Sequence, residues 1–121
     1  TYPVWEGRSI DEALAWSMEN HRAVAERFPG VPVLISEAGW TTRANGGGID
    51  PWRASEALQA RYCAELAAWA REEGVLTFLF EAFDEPWKGS DDPDEPEKHW
   101  GLYREDRTPK PVVAALHPED P

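Results

Sequence analysis

Two apolar runs of strand length, each ended by a carboxylate with a tryptophan close behind, limit what this chain can fold into. The first is Val31-Pro32-Val33-Leu34-Ile35, followed by Ser36-Glu37-Ala38-Gly39-Trp40. The second is Val75-Leu76-Thr77-Phe78-Leu79-Phe80, followed by Glu81-Ala82-Phe83-Asp84-Glu85-Pro86-Trp87-Lys88. Neither alternates between apolar and polar residues. A continuous apolar run is the mark of a strand covered on both faces, as in parallel sheets flanked by helices. In such a sheet the C-terminal ends of neighbouring strands lie side by side, so the carboxylates and indoles of the two runs are expected to converge.

Helical patterns separate the runs. Ser9 followed by Glu12 is a capping box. Behind it Ile10, Leu14, Ser17, His21, Val24 and Phe28 recur at helical spacing until Pro29-Gly30. His21 lies by that stripe with no second ligand one turn on, and a packed histidine is expected rather than a metal ligand. A second helix is expected from about Ser55 to Glu73, with Leu58, Tyr62, Leu66 and Trp69 on its apolar face and Gly74 as its stop. A short last helix begins around Thr108-Pro109-Lys110-Pro111, and the tail after His117 is expected to fray. Ahead of all this, Tyr2-Pro3-Val4-Trp5 reads as the exit from a strand; Tyr2 and Trp5 either line a cleft or pack at a domain edge. The order is strand end, helix, strand, helix, strand, helix, which implies right-handed crossovers and an α/β architecture. Strands of this kind need neighbours, so residues 1–121 are expected to be part of one larger domain whose remaining sheet lies upstream.

Composition narrows the partners. A net charge of −11 argues against nucleic acid and anionic membranes, which require Lys and Arg. The single cysteine, Cys63, allows no internal disulfide and no Cys-rich metal site, and is expected to be an inert buried thiol. Gly46-Gly47-Gly48 sits in a long loop without the Lys and Ser/Thr of a phosphate loop, and a lid or cleft rim fits it better. The acidic loop Asp91 to Glu97 lacks EF-hand spacing and reads as solvated. Seven tryptophans in so short a chain, several beside Gly, Pro and acids, point elsewhere. Indoles stack on the apolar faces of pyranose rings while carboxylates bind hydroxyls or perform acid, base or nucleophilic work, so the pairing suits a sugar site. Taken alone, however, a carboxylate at a strand end is more often a structural partner of backbone N–H groups.

Three motifs carry a family resemblance: Ile35-Ser36-Glu37-Ala38-Gly39-Trp40-Thr41, Phe80-Glu81-Ala82-Phe83-Asp84-Glu85-Pro86-Trp87-Lys88 and Glu97-Lys98-His99-Trp100-Gly101-Leu102-Tyr103. Together they resemble glycoside hydrolase family 17, the β-1,3-glucanases and β-1,3-glucan transglycosylases, in its bacterial and fungal branch. The resemblance implies a (β/α)8 barrel, with this chain supplying the end of strand six and strands seven and eight with their helices. Active sites of such barrels sit at the C-terminal ends of the strands. It further implies that Glu37 is the nucleophile of a retaining glycosidase and that Glu85 and Lys88 organise the catalytic site. Tyr2, Trp5, Trp40, Glu81, Asp84, Trp87 and Glu97 would contact substrate. No cofactor or metal is implied; the partner would be β-glucan, and the location extracytoplasmic. Thr41-Thr42 departs from the family's frequent Pro after Gly-Trp, which puts the shape of that loop in question. The family's acid/base, a Glu after an Asn at the end of strand four, has no counterpart here. Glu81, Asp84 or Glu85 could replace it only if one stood about 5 Å from Glu37. The alternatives are a glucan transglycosylase of the same fold, and a remnant that binds glucan through Trp5, Trp40 and Trp87 without cleaving it. An open sheet edge toward strand six would favour self-association of the isolated chain.

Overall fold

Two serines start the long helices. Ser9 accepts from the Glu12 N–H at 3.3 Å while the Glu12 carboxylate accepts from the Ser9 N–H at 3.0 Å, so the expected capping box opens α1, Ile10–Arg27. Ser55 accepts from the Leu58 N–H at 3.0 Å and opens α2, Glu56–Glu73. Gly74 closes α2 in the left-handed conformation, φ +67°, where a side chain would be strained. The computed structural model describes residues 1–118. The other elements are β1, Ile35–Ala38, β2, Thr77–Leu79, and α3, Pro111–Leu116, with single 3-10 turns at Pro51–Arg53 and Pro96–Lys98. The expected fraying of the tail falls mainly on residues 119–121, outside the described residues. Among the described residues no helix is long and apolar enough to cross a membrane.

β1 and β2 pair in parallel, as the unalternating runs predict, with Ile35 opposite Thr77 and Ala38 opposite Leu79. Their boundaries differ from expectation. The first strand is shifted toward the C-terminus, so that Glu37 stands inside β1 instead of beyond it, and Val31 and Leu34 are exposed. Leu76 and Phe78 are exposed as well. The reason is physical: a two-stranded sheet has outer edges and faces that no other described element covers, and apolar content alone cannot say which part of a run finds a partner. Tyr2-Pro3-Val4-Trp5 forms a turn rather than a strand, yet the Thr1 nitrogen bonds the Glu37 carbonyl at 2.6 Å on the free side of β1.

α2 packs against both α1 and α3. Tyr62 and Leu66 reach from α2 into a core shared with Ile35, Ala38, Trp40 and Trp100. His21 is a packed histidine, 2.9 Å from the Val33 carbonyl and edge-on to Trp69 at 5.5 Å. Cys63 is buried, and desolvation pushes its thiol up to about 12. Where the strands diverge, Phe80 N–H donates to the Ala38 carbonyl at 2.7 Å, and the Phe80–Glu81 peptide is cis. A side-chain carbon on Gly39 would lie 2.2 Å from the Phe80 carbonyl oxygen, so only glycine lets the two backbones meet here.

Candidate active site

Beyond β2 the chain bends at Phe80 and Ala82, and residues 81–85 are laced to the Lys98–Tyr103 return. Glu81 N–H donates to the Trp100 carbonyl at 3.1 Å, Leu102 N–H to the Glu81 carbonyl at 2.8 Å, and Tyr103 N–H to the Ala82 carbonyl at 2.9 Å. Both the Glu81 and the Glu85 carboxylates engage the Lys88 ammonium. Lys88 Nζ is 3.3 Å from each Glu81 oxygen and forms a close ion pair with Glu85. Lys88 also lies over the Phe80 ring, 4.8 Å from its centre. The loop carrying it is fixed from below by Lys98, whose buried ammonium donates to the Pro86 carbonyl at 2.8 Å and the Lys88 carbonyl at 2.6 Å.

Glu37 is linked to this cluster indirectly, through Tyr2 and the Phe80 ring on which both Tyr2 and Lys88 pack. The Tyr2 hydroxyl donates to Glu37 Oε2 at 2.5 Å. Its ring is held edge-on by Phe80 at 5.9 Å and by Trp100 at 5.2 Å. Burial, the bond to Glu37 and the negative charges of Glu37, Glu97 and Glu81 raise the phenol well above its usual range. Tyr2 is thus a permanent donor at neutral pH, surrounded by carboxylates from β1, from the segment after β2 and from the Pro96–Lys98 turn.

Glu81 and Glu85 titrate as a pair in opposite directions. Desolvation first, and then the hydrogen bond shared with Glu85, push Glu81 up to about 7. The bond from Lys88 holds Glu85 below the ordinary carboxylate range, and Glu85 in turn raises Lys88. Below about pH 7 Glu81 keeps a proton that Glu85, paired with Lys88, has already given up. The sign follows from linkage. Unfolded glutamate ionises near ~4.3, so as pH rises from there to about 7 the folded state keeps a proton that the unfolded chain has released. Stability contributed by this site falls across that window and is lowest above it. Glu81→Gln removes the titration. Its melting temperature relative to the parent is expected to be more favourable at pH 8 than at pH 5, and a difference independent of pH would contradict the assignment.

Other expected site residues are placed differently. Asp84 has partners other than Lys88. Its Oδ1 accepts from Lys110 Nζ at 2.7 Å and from the Gly101 N–H at 2.9 Å. Burial opposes its charge, but His99, Lys110 and Gly101 outweigh that and keep it below its usual range. Its carboxylate is thus engaged by the protein's own donors, at the wall of an open cleft that it shares with Arg43 and His99. Trp40 lies in the core. It is 1% exposed, packs on Tyr62 at 5.6 Å and donates its indole N–H to the Arg53 carbonyl at 2.9 Å, leaving no face for a sugar. Trp5 is half-buried, tilted on Trp100 at 6.3 Å and resting on Gly48, whose substituent would lie 2.5 Å from the ring. Trp87 is 73% exposed beside Lys88 and keeps both faces free for stacking. Sequence reading missed Trp52, 76% exposed, and the buried Lys110 and Lys98. For Lys110 the available signal was its place between two prolines ahead of an apolar helix; Lys98, between Glu97 and His99, carried none. Among the described residues no group of three His, Cys, Asp or Glu side chains is placed to hold a metal ion.

Comparison with known proteins bears on this arrangement. Residues 1–101 match the family described as the BtgE/BtgC glycoside hydrolase domain. A glucan 1,3-beta-glucosidase of Arthroderma benhamiae is 34% identical over 90% of this chain and 39% of its own length. A glycoside hydrolase family 17 beta-1,3-glucanosyltransferase from Rhizomucor miehei superposes with a TM-score of 0.81 at 30% identity, covering 95% of this chain and 41% of that one. An active-site mutant of that transferase has been solved with laminaritriose. An endo-laminarinase from Formosa Hel1_33_131 gives 0.79 at 29% identity, over 91% of this chain and 30% of its own. The chain therefore spans at most about two fifths of the length of these relatives.

Proposed function

The chain belongs to the BtgE/BtgC glycoside hydrolase domain family, and on that basis we propose that it forms the nucleophile-bearing part of a retaining β-1,3-glucan hydrolase. The reading places residues 1–121 at the C-terminal end of a (β/α)8 barrel, with Tyr2 closing strand six, β1 as strand seven and β2 as strand eight. Its location would be extracytoplasmic, where polymeric glucan is met.

One observation carries the proposal: the Glu37 carboxylate, held by the Tyr2 hydroxyl at 2.5 Å, stands with Glu81, Glu85 and Lys88 at the C-terminal ends of two parallel strands. Glu37 Oε1 or Oε2 attacks the anomeric carbon, the bond from that carbon to the leaving sugar oxygen breaks, and an acid/base Glu from the remainder of the barrel gives that oxygen its proton. The same Glu then takes a proton from water, whose oxygen displaces Glu37. Tyr2 orients the attacking carboxylate, and Lys88 lies between Glu81 and Glu85 so that Glu37 faces no uncompensated pair of negative charges. Trp87 offers a stacking face. With a second glucan in place of water the same intermediate yields a longer chain, and the likeness to a transferase at 30% identity favours keeping that as the second reading.

The test uses the full-length protein and a slow glucosyl donor carrying fluorine at C2 and a good leaving group. A covalent adduct on the peptide containing Glu37 is expected by mass spectrometry. An adduct on Glu81, Glu85 or another residue would overturn the assignment. Products longer than the substrate would decide for transfer.

A further inference from the structure

Trp52 is the most exposed large apolar side chain among the described residues, at 76%, and nothing in the chemistry above uses it. Its surroundings are rigid. It stands at the centre of the Pro51–Arg53 turn, with Pro51 fixing the first position. Arg53 N–H bonds the Asp50 carbonyl at 3.0 Å, and the Arg53 carbonyl is held at 2.9 Å by the buried Trp40 indole. The Arg53 guanidinium bonds the Arg8 carbonyl, and Ile49 on the near side is fully buried. The backbone on both sides is thus tied to the core while the indole is turned outward. A flexible loop tip would not present a flat face in one orientation; this turn does.

The place of the turn matters as much as its exposure. Arg53 ties it to Arg8, just after the turn that carries Tyr2 and Trp5. Trp5 leans on Gly48, four residues before Trp52, and on Trp100, which holds the Tyr2 ring that donates to Glu37. A continuous, mostly aromatic path therefore runs outward from the Glu37 carboxylate to the Trp52 turn, on a loop separate from the one bearing Trp87. The chain's net charge of −11 disfavours an anionic partner there, and an uncharged indole face matches a neutral sugar ring.

We infer that Trp52 is an outlying stacking platform for a long neutral β-linked glucan, engaging sugar units beyond those that react at Glu37. This rests on the glucan reading above and adds a chain-length dependence to it. Short oligosaccharides would not reach Trp52; a polymer would bridge both.

The experiment compares the full-length parent with Trp52→Ala and Trp52→Phe. It reads kcat/KM on laminaritriose and on a long soluble β-1,3-glucan, and retention on insoluble β-1,3-glucan. For Trp52→Ala, kcat/KM on the polymer and retention are expected to fall about tenfold, with the trisaccharide changed less than about twofold; Phe should recover part of the loss. An unchanged polymer rate, or equal losses on both substrates, overturns the inference. If the parent itself neither cleaves nor binds β-1,3-glucan, the functional reading fails and takes this inference with it.

Discussion

Glu37→Gln in the full-length protein is expected to lower turnover of β-1,3-glucan by at least about a thousandfold while leaving the melting temperature within about a degree. The two halves of this expectation come from different parts of the structure. The amide keeps the shape of glutamate and can still accept from the Tyr2 hydroxyl, so the local hydrogen bond survives. It cannot form the glucosyl ester. A thousandfold loss corresponds to about 4 kcal/mol of transition-state stabilisation. Glu37 is exposed in this chain, and substitutions at such positions change stability by roughly 0.5 kcal/mol or less. Near-parental turnover by the variant would exclude Glu37 as nucleophile. A large drop in melting temperature would recast it as a structural carboxylate.

The largest effect on stability is expected from Lys110→Met. The Lys110 side chain is 1% exposed, and its ammonium bonds Asp84 Oδ1 at 2.7 Å, Thr42 Oγ1 at 3.0 Å and the His99 carbonyl at 3.3 Å. Desolvation lowers its pKa and Asp84 only partly restores it, as for a charge retained because a partner is present. Removing the cation leaves a largely buried Asp84 carboxylate supported by the Gly101 N–H and His99. The loss is expected to be about 3–5 kcal/mol. Adding Asp84→Asn, which deletes the stranded charge but keeps an acceptor for Gly101, should recover a good part of it. A single-variant loss under about 1 kcal/mol, by chemical denaturation, would mean the pair is not tightly coupled. Asp84 lies between Phe83 and Glu85, so the weakened variant should also lose activity through displacement of the Glu85–Lys88 pair.

How legible the molecule was depended on the range of the interaction concerned. Ser9 with Glu12, Ser55 and Gly74 act within one helical turn, and each stands where its local chemistry puts it. The parallel pairing was legible because unalternating runs leave few other architectures. The edges of β1 were not, since Val31 and Leu34 are as apolar as Ile35 and only the position of the neighbouring strand separates them. For the candidate site, the pairing of the strand that carries Glu37 with the one that leads to Glu81 was legible in the two apolar runs. The division of Asp84 from Glu85 turned on partners distant in sequence, Lys110 and Gly101, which motif reading ignores. Trp40 and Trp52 are the sharpest contrast. Both follow Gly or Pro in the same loop, and one is sealed in the core while the other stands in solvent. Trp40 packs on Tyr62 and bonds the Arg53 carbonyl, contacts distant in sequence that a local reading does not contain.

The contact between Gly39 and the Phe80 carbonyl reaches beyond local packing. It brings the backbone of the Glu37 strand directly against that of the segment leading to Glu81, with no side chain acting as spacer. The separation of these acids is therefore insensitive to what the neighbouring loops are made of. On the proposed reading, parts of the neighbouring loops that do not themselves hold these acids, such as the stretch around Gly46, could lengthen or acquire new aromatic faces without changing the distance between the two backbones.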